Sequence, residues 1–227
     1  MTVSTVRLAG LVLGILLAGA ACSAGRQSSE VQRLQARAAF ERALKHFEAR
    51  EASNAVAALR EAIALNPTSA IYRDVLGVVY TQLQRPDLAL EQFREAVSID
   101  PQLADAHFHI GVALAESRQW SEAVLAYRKA LALPTLTVPD LAHQNLGLAL
   151  YHLGQHAEAE QELRFAISLS PEMQAAYYHL GLVLAAQGRL EEAKGAFARA
   201  RALGADTPFG EAAGVRLNAL GGEPSRP

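Results

Sequence analysis

Apolar and small residues recur along this 227-residue chain with a fixed period. The same apolar stretch is opened four times by a glycine, at Gly77, Gly111, Gly147 and Gly181. The first two of these glycines are 34 residues apart, as are the last two, and Pro67 and Pro101 keep that spacing where the stretch ends. A period of this length indicates a stack of helical hairpins and predicts a binding surface rather than a catalyst.

Aligning the chain on this period gives five units, called units 1 to 5 below: 36–69, 70–103, 104–139, 140–173 and 174–207. Positions are counted from the first residue of each unit. Position 8 is always small, and it is occupied by Ala43, Gly77, Gly111, Gly147 and Gly181. Positions 20 and 27 are alanine throughout, whereas position 24 is bulky: Leu59, Phe93, Tyr127, Leu163 and Phe197.

These positions have a simple physical explanation. Two antiparallel helices approach closely only where one of them offers little or no side chain, and bulky residues then fill the space beside the contact. In this pattern of small and bulky positions the chain resembles tetratricopeptide repeat proteins. The resemblance implies an all-α fold, a right-handed solenoid of five helical hairpins.

The ends of the chain are expected to close the stack. Residues 22–35 are predicted to hold a membrane anchor, a linker and the start of the first helix. Residues 208–220 are predicted to form a capping helix whose Val215, Leu217 and Leu220 cover the last hairpin. Residues 221–227 are predicted to be a disordered tail.

Unit 3 departs from the period, because Gly111 and Gly147 are 36 residues apart. The two additional residues fall in the segment 134–139, where two prolines flank Leu136 and Val138, which we expect to be exposed. The segment is either a tolerated loop insertion or a feature that contacts a partner, and the sequence leaves both interpretations open.

The N-terminal residues 1–21 are typical of an export signal. Arg7 precedes an unbroken run of apolar and glycine residues from Leu8 to Ala21, which is shorter than the ~20 residues that span a bilayer. The run ends in small residues before Cys22, the only cysteine. This arrangement resembles the lipobox of bacterial lipoproteins, although Gly19 stands where leucine is usual. The resemblance implies lipidation of Cys22 and a lipid-anchored protein of the bacterial envelope, on the outer membrane facing the periplasm.

In this architecture, positions 2, 5, 9 and 12 of the first helix of each unit face a concave groove. The groove is predicted to be apolar and aromatic, and such a surface binds an amphipathic helix or an extended apolar peptide. Several of these side chains are alternatively explained as contacts between neighbouring units. The candidate groove residues are Phe40, Phe47, Asp74, Val78, Phe108, Val112, Gln144, Leu148, Tyr151, Tyr178 and Leu182.

Composition and motifs argue against other classes of function. A net charge of −2 gives no electrostatic attraction for nucleic acid. The seven histidines are not arranged with other ligands in the spacing of a metal site, and His107 and His109 point to different faces of a helix. No phosphate-binding loop or nucleophile elbow occurs. We therefore expect no enzyme, no cofactor, no metal and no small-molecule substrate.

Taken together, the signal, Cys22 and the five units resemble the pilotins of type IV pili, which are lipoproteins that assist assembly of the secretin ring. The resemblance extends to the proline-containing insertion, which precedes an Asn-Leu-Gly sequence at Asn145–Gly147. It implies a secretin subunit as the protein partner. Two alternatives remain: a scaffold lipoprotein for cell-wall hydrolases or outer-membrane assembly factors, and a periplasmic adaptor without a lipid.

Overall fold

The computed structural model describes residues 29–221, and these residues form eleven helices and no strand. The predicted signal, Cys22 and residues 222–227 lie outside the described residues. Helix α1 is described over residues 29–48. The other helices are α2 (Ala52–Leu65), α3 (Ala70–Gln82), α4 (Pro86–Ile99), α5 (Ala104–Glu116), α6 (Trp120–Leu131), α7 (Pro139–His152), α8 (His156–Leu169), α9 (Gln174–Ala186), α10 (Leu190–Leu203) and α11 (Pro208–Gly221).

The helices pair in chain order, two to a unit, and α11 packs on the last pair. Each first helix contacts the second helix of its own unit, and each second helix contacts the first helix of the next. The all-α solenoid predicted from the sequence is therefore confirmed.

The close approach predicted at position 8 is explained directly by the packing of bulky side chains against glycine. A Cβ atom added to Gly77 would lie 2.4 Å from a ring carbon of Phe93, and one added to Gly181 would lie 2.5 Å from Phe197. Gly111 has the same relation to Tyr127, at 2.5 Å. The glycines therefore provide the space that the position 24 side chains of their own units fill.

The turn between the two helices of each unit contains a residue with a left-handed backbone at position 15. Gly154 and Gly188 fill it in units 4 and 5, with φ of +73° and +78°. In units 1 to 3 it is filled by Arg50, Gln84 and Arg118, with φ between +56° and +60°. Residues with a Cβ adopt this conformation at a cost of roughly 1–2 kcal/mol.

Two predictions about the ends and the insertion were wrong. Leu136 and Val138 are half-buried and pack against the core, because the insertion folds back onto unit 3. Both the backbone N–H and the hydroxyl of Thr137 donate to Oδ1 of Asp105, at 3.0 and 2.9 Å. In the last helix, Val215 is 68% exposed, whereas Leu217 and Leu220 contact the core as expected.

Candidate functional site

The first helices of the five units carry the predicted groove residues on one side. An α-helix turns by about 100° per residue, so positions 2, 5, 9 and 12 fall on one face. The structure divides these residues into two groups. Those at position 5 lie between neighbouring units, and those at positions 9 and 12 are half-exposed.

Two of the position 5 side chains contact the element that follows their unit. Phe40 stacks on Tyr72 of unit 2 with ring centroids 4.7 Å apart, and Tyr178 of unit 5 contacts Phe209 of α11 at 5.6 Å. Phe108 is buried and contacts Tyr127 of its own unit at 6.0 Å. Phe40 and Tyr178 thus join successive parts of the stack, which is the alternative role that the sequence had left open for part of the groove.

The two polar side chains at position 5 each bond to a histidine 35 residues further along the chain. Gln144 pairs with Nδ1 of His179 at 3.0 Å, and both residues are 7% exposed. Burial, together with a smaller contribution from the nearby His152, lowers the pKa of His179 to about 4. The imidazole is therefore neutral at physiological pH and accepts a hydrogen bond from the amide of Gln144.

Asp74 forms the corresponding contact between units 2 and 3. Its Oδ1 lies 2.8 Å from Nδ1 of His109, and the two side chains are 11% and 27% exposed. The ring of His109 also stacks on Phe93 at 5.1 Å. The sequence pattern did not identify His109 or His179 as a partner, because the two side chains of each pair belong to different units.

The residues at positions 9 and 12 form the surface that remains available for binding. Six of the predicted residues are half-buried there: Phe47, Val78, Val112, Leu148, Tyr151 and Leu182. Between units 2 and 3 they border a small, mainly apolar cavity of about 140 Å³. Its walls are Val78, Thr81, Gln82, Phe93, His109 and Val112. Their role in binding stays a prediction.

Aromatic rings cluster near the end of the groove in unit 4. Trp120 stacks on His152 with ring centroids 4.1 Å apart and planes 12° apart. Tyr151 contacts His152 at 5.4 Å and His156 at 5.7 Å. Burial lowers the pKa of His152, and the charge of Arg118 acts in the same direction. The predicted groove residue Tyr151 is thus held by rings on two sides.

An ionic cluster joins units 4 and 5. The carboxylate of Glu160, 8% exposed, accepts from Arg189 at 2.7 and 2.8 Å and pairs with Arg164 at 2.5 Å. Burial opposes ionisation of Glu160, but the hydrogen bonds from Arg189 and Gln187 and the two arginine charges outweigh it and lower its pKa. The cluster links units 4 and 5, and removal of one partner would leave an uncompensated buried charge.

The chemistry available to the groove is that of contact and hydrogen bonding. Within residues 29–221, no group of three or more His, Cys, Asp or Glu side chains is placed to hold a metal ion. No helix in that same range has the length and apolar character needed to cross a membrane. A concave apolar face with tyrosine and histidine along it defines a helical-repeat scaffold for protein interaction.

The repeats are those of the tetratricopeptide class. A TPR repeat model matches residues 77–117, and a tetratricopeptide repeat model matches residues 145–208. The fold is a tetratricopeptide repeat solenoid. None of the curated proteins compared with the chain matches it.

Solved structures of similar fold come from several proteins. The chain is similar to MamA, with 25% identity, a TM-score of 0.66, and coverage of 74% of this chain and 91% of MamA. PilW, described as a widely conserved type IV pilus biogenesis factor, has 24% identity and a TM-score of 0.72 over 81% of this chain and 86% of its own. PilF of Pseudomonas aeruginosa has 22% identity and a TM-score of 0.66 over 84% and 93%.

Proposed function

We propose that this chain is a pilotin-like lipoprotein that binds a secretin subunit in its groove and assists secretin assembly for the type IV pilus. The observation that carries the binding role is the half-exposed apolar surface formed by positions 9 and 12 of successive first helices. Such a surface suits one apolar face of an amphipathic helix or an extended apolar segment.

The pilus assignment is supported by three features taken together. The solenoid is similar to PilW and PilF over most of their lengths, and PilW is named as a pilus biogenesis factor. The N-terminal sequence ends in Cys22 at the place of a lipidated cysteine. The proline-containing insertion precedes the Asn-Leu-Gly sequence of unit 4, as in the pilotins that the sequence resembles.

The proposed mechanism needs no covalent chemistry by the chain itself. A lipid on Cys22 would hold the solenoid at the outer membrane, while the groove holds a secretin segment. Confining both near one surface raises the effective concentration of subunits, and ring assembly is favoured without any additional contact. An acyl chain contributes about 0.8 kcal/mol for each methylene buried in the membrane, so more than one chain gives a stable anchor.

The groove is tested by a substitution on its exposed surface. Leu148→Asp places a charge among apolar side chains, and we expect loss of secretin multimers in envelopes of the variant strain. The matched control is Leu125→Asp, because Leu125 is 67% exposed on a second helix. Normal multimers in a strain that lacks the protein would refute the proposal, and recovery of cell-wall hydrolases instead of secretin would favour the scaffold alternative.

The anchor is tested separately by Cys22→Ser. If Cys22 is lipidated, the Cys22→Ser variant moves from the membrane fraction to the soluble periplasmic fraction. The unsubstituted protein, extracted with detergent from cells grown with radioactive fatty acid, should carry the label. Unchanged fractionation of Cys22→Ser would point to the adaptor without a lipid, whatever the groove binds.

A further inference from the structure

A row of arginines runs along the second helices, at position 25 of four successive units: Arg60, Arg94, Arg128 and Arg164. At the last two junctions the arginine pairs with glutamate at position 19 of the next unit. Arg128 pairs with Glu158 at 2.5 Å, and Arg164 reaches Glu192 at 3.9 Å. The junction of units 2 and 3 has Arg94 and Glu122 at the same two positions, and these form no ion pair within residues 29–221.

The first junction differs in the residue at position 19, which is Leu88 in unit 2 and glutamate in units 3 to 5. Arg60 and Leu88 line the same cleft. Within residues 29–221, Arg60 forms no ion pair. Its Nη2 instead donates to the hydroxyl of Tyr80 at 2.9 Å. Tyr80 stands at position 11, where units 3 to 5 have leucine.

Further unused donors lie beside Arg60. The hydroxyl of Tyr80, a residue that is 7% exposed, accepts from Arg60 and donates to no group in the described part of the chain. Arg73 pairs with Glu95 through Nη1, while its buried Nε has no hydrogen-bond partner among residues 29–221. A buried donor without an acceptor is unfavourable, and a ligand that accepts from it would remove that cost.

These groups border one cleft of about 290 Å³. Its apolar walls are Ile63, Leu76 and Leu88, and its other lining residues are Arg60, Arg73, Tyr80, Glu91 and Gln92. The cleft contacts α3 at positions 4, 7 and 11. At about 100° per residue these positions are on the opposite side of the helix from the groove positions, so the cleft is a second site.

We infer that this cleft binds a carboxylate attached to an aliphatic group, such as the C-terminal leucine or valine of a protein partner. Arg73 is already paired with Glu95, so Arg60 is the guanidinium among the lining residues that has no ion pair and can take one carboxylate. Guanidinium groups bind carboxylates through paired hydrogen bonds, and the Tyr80 hydroxyl supplies a third donor. Ile63, Leu76 and Leu88 form an apolar wall of the size that an aliphatic side chain covers.

The test uses the full chain in detergent and follows the Nε–H resonances of its arginines by NMR. The probe is the acetylated tripeptide alanyl-alanyl-leucine with a free carboxylate, compared with the same peptide as its C-terminal amide and with inorganic phosphate. We expect saturable shifts of the Arg60 and Arg73 resonances with the free acid. Binding of the amide should be weaker by at least about tenfold, since a charged hydrogen bond is lost.

The variants distinguish this cleft from general attraction to arginine. Arg60→Gln and Tyr80→Phe should each weaken binding of the free acid by about tenfold. Arg94→Gln, one unit further along the same row, should leave the affinity unchanged. Equal binding of acid and amide, stronger binding of phosphate than of the peptide acid, or full affinity in Arg60→Gln would each overturn the inference. None of these variants changes a groove residue. The peptide affinities measured here therefore do not depend on whether the groove binds secretin.

Discussion

The contacts at two junctions of the solenoid follow one geometry with different chemistry. Asp74 with His109 joins units 2 and 3, and Gln144 with His179 joins units 4 and 5, both across 35 residues. The first pair joins a carboxylate to an imidazole and is partly open to solvent, whereas the second joins an amide to an imidazole and is buried. The repeat therefore determines which positions meet between neighbouring units but not how deeply the contact is buried. The contact between units 4 and 5 is the more buried of the two.

Two other features follow the same division. The buried residues of units 3 to 5 and α11 form one continuous core, from Phe108 to Ala213, while those of units 1 and 2 form a smaller one. The turns of units 1 to 3 have a left-handed residue with a Cβ, and those of units 4 and 5 have glycine. We therefore expect the N-terminal units to open first, with amide exchange as the measurement.

The largest expected effect concerns pH and the buried histidine. The pKa of His179 is about 4 in the folded chain and about 6.5 when unfolded, so only the unfolded chain takes up a proton as the pH falls from 6.5 to 4. Stability is complete above about pH 6.5 and declines by up to about 3 kcal/mol toward pH 4. His179→Asn keeps a polar partner for Gln144 and should flatten this decline in urea denaturation. A decline of the same slope in the variant would rule out His179 as its source.

The next effect concerns the close contacts at position 8. Gly181→Ala should destabilise the chain by about 1–3 kcal/mol, because the new methyl group would overlap the ring of Phe197. The matched control is Gly195→Ala in α10, where nothing lies within 4 Å and helix propensity predicts a gain of about 0.5–1 kcal/mol. Gly77→Ala makes the same clash in unit 2, and hydrogen exchange should show its effect confined to the N-terminal units. Equal exchange changes in both halves would contradict the difference between the two cores.

The smallest effect concerns the turns. Arg118→Gly relieves roughly 1–2 kcal/mol of backbone strain and loses about 0.4–1 kcal/mol through greater freedom of the unfolded chain, so we expect a net gain of about 0.5–1 kcal/mol. Gly154→Ala, at the same position of unit 4, should lose about 1 kcal/mol. Thermal denaturation measures both changes, and opposite signs are required. A loss in Arg118→Gly would show that the arginine side chain makes contacts worth more than the strain.

The sequence predicted the fold because the helix contacts repeat. Gly77 with Phe93 and Gly181 with Phe197 recur at a fixed spacing, so each unit supports the interpretation of the others. The two polar contacts also share one spacing, from position 5 of one unit to position 6 of the next, but the residue types at these positions vary. Asp74, Phe108 and Gln144 share position 5, and of these Asp74 and Gln144 bond to a histidine 35 residues later, so the repeat pattern alone does not identify His109 or His179 in advance.

The insertion also shows that contacts between distant residues are not predicted by a local sequence pattern. Leu136 and Val138, between two prolines, were predicted to be exposed, but the outcome depends on Asp105, which lies 32 residues before Thr137. The prediction that Val215 covers the last hairpin was wrong for a related reason. No unit follows α11 in the described residues, so nothing buries this apolar side chain. Positions 9 and 12 share one half-exposed face because helix geometry alone determines which positions lie together, and their role in binding stays a prediction.

The two hydrogen bonds from Thr137 to Asp105 have a consequence for how such proteins can gain residues. Because the two added residues are folded back beside their own unit, units 4 and 5 continue with the same pairing of helices as before them. Residues can therefore be added in this segment during evolution while the pairing of helices in the other units is kept. Pro134 and Thr135 are exposed, so they are the place in this segment to insert a fluorophore or an affinity tag.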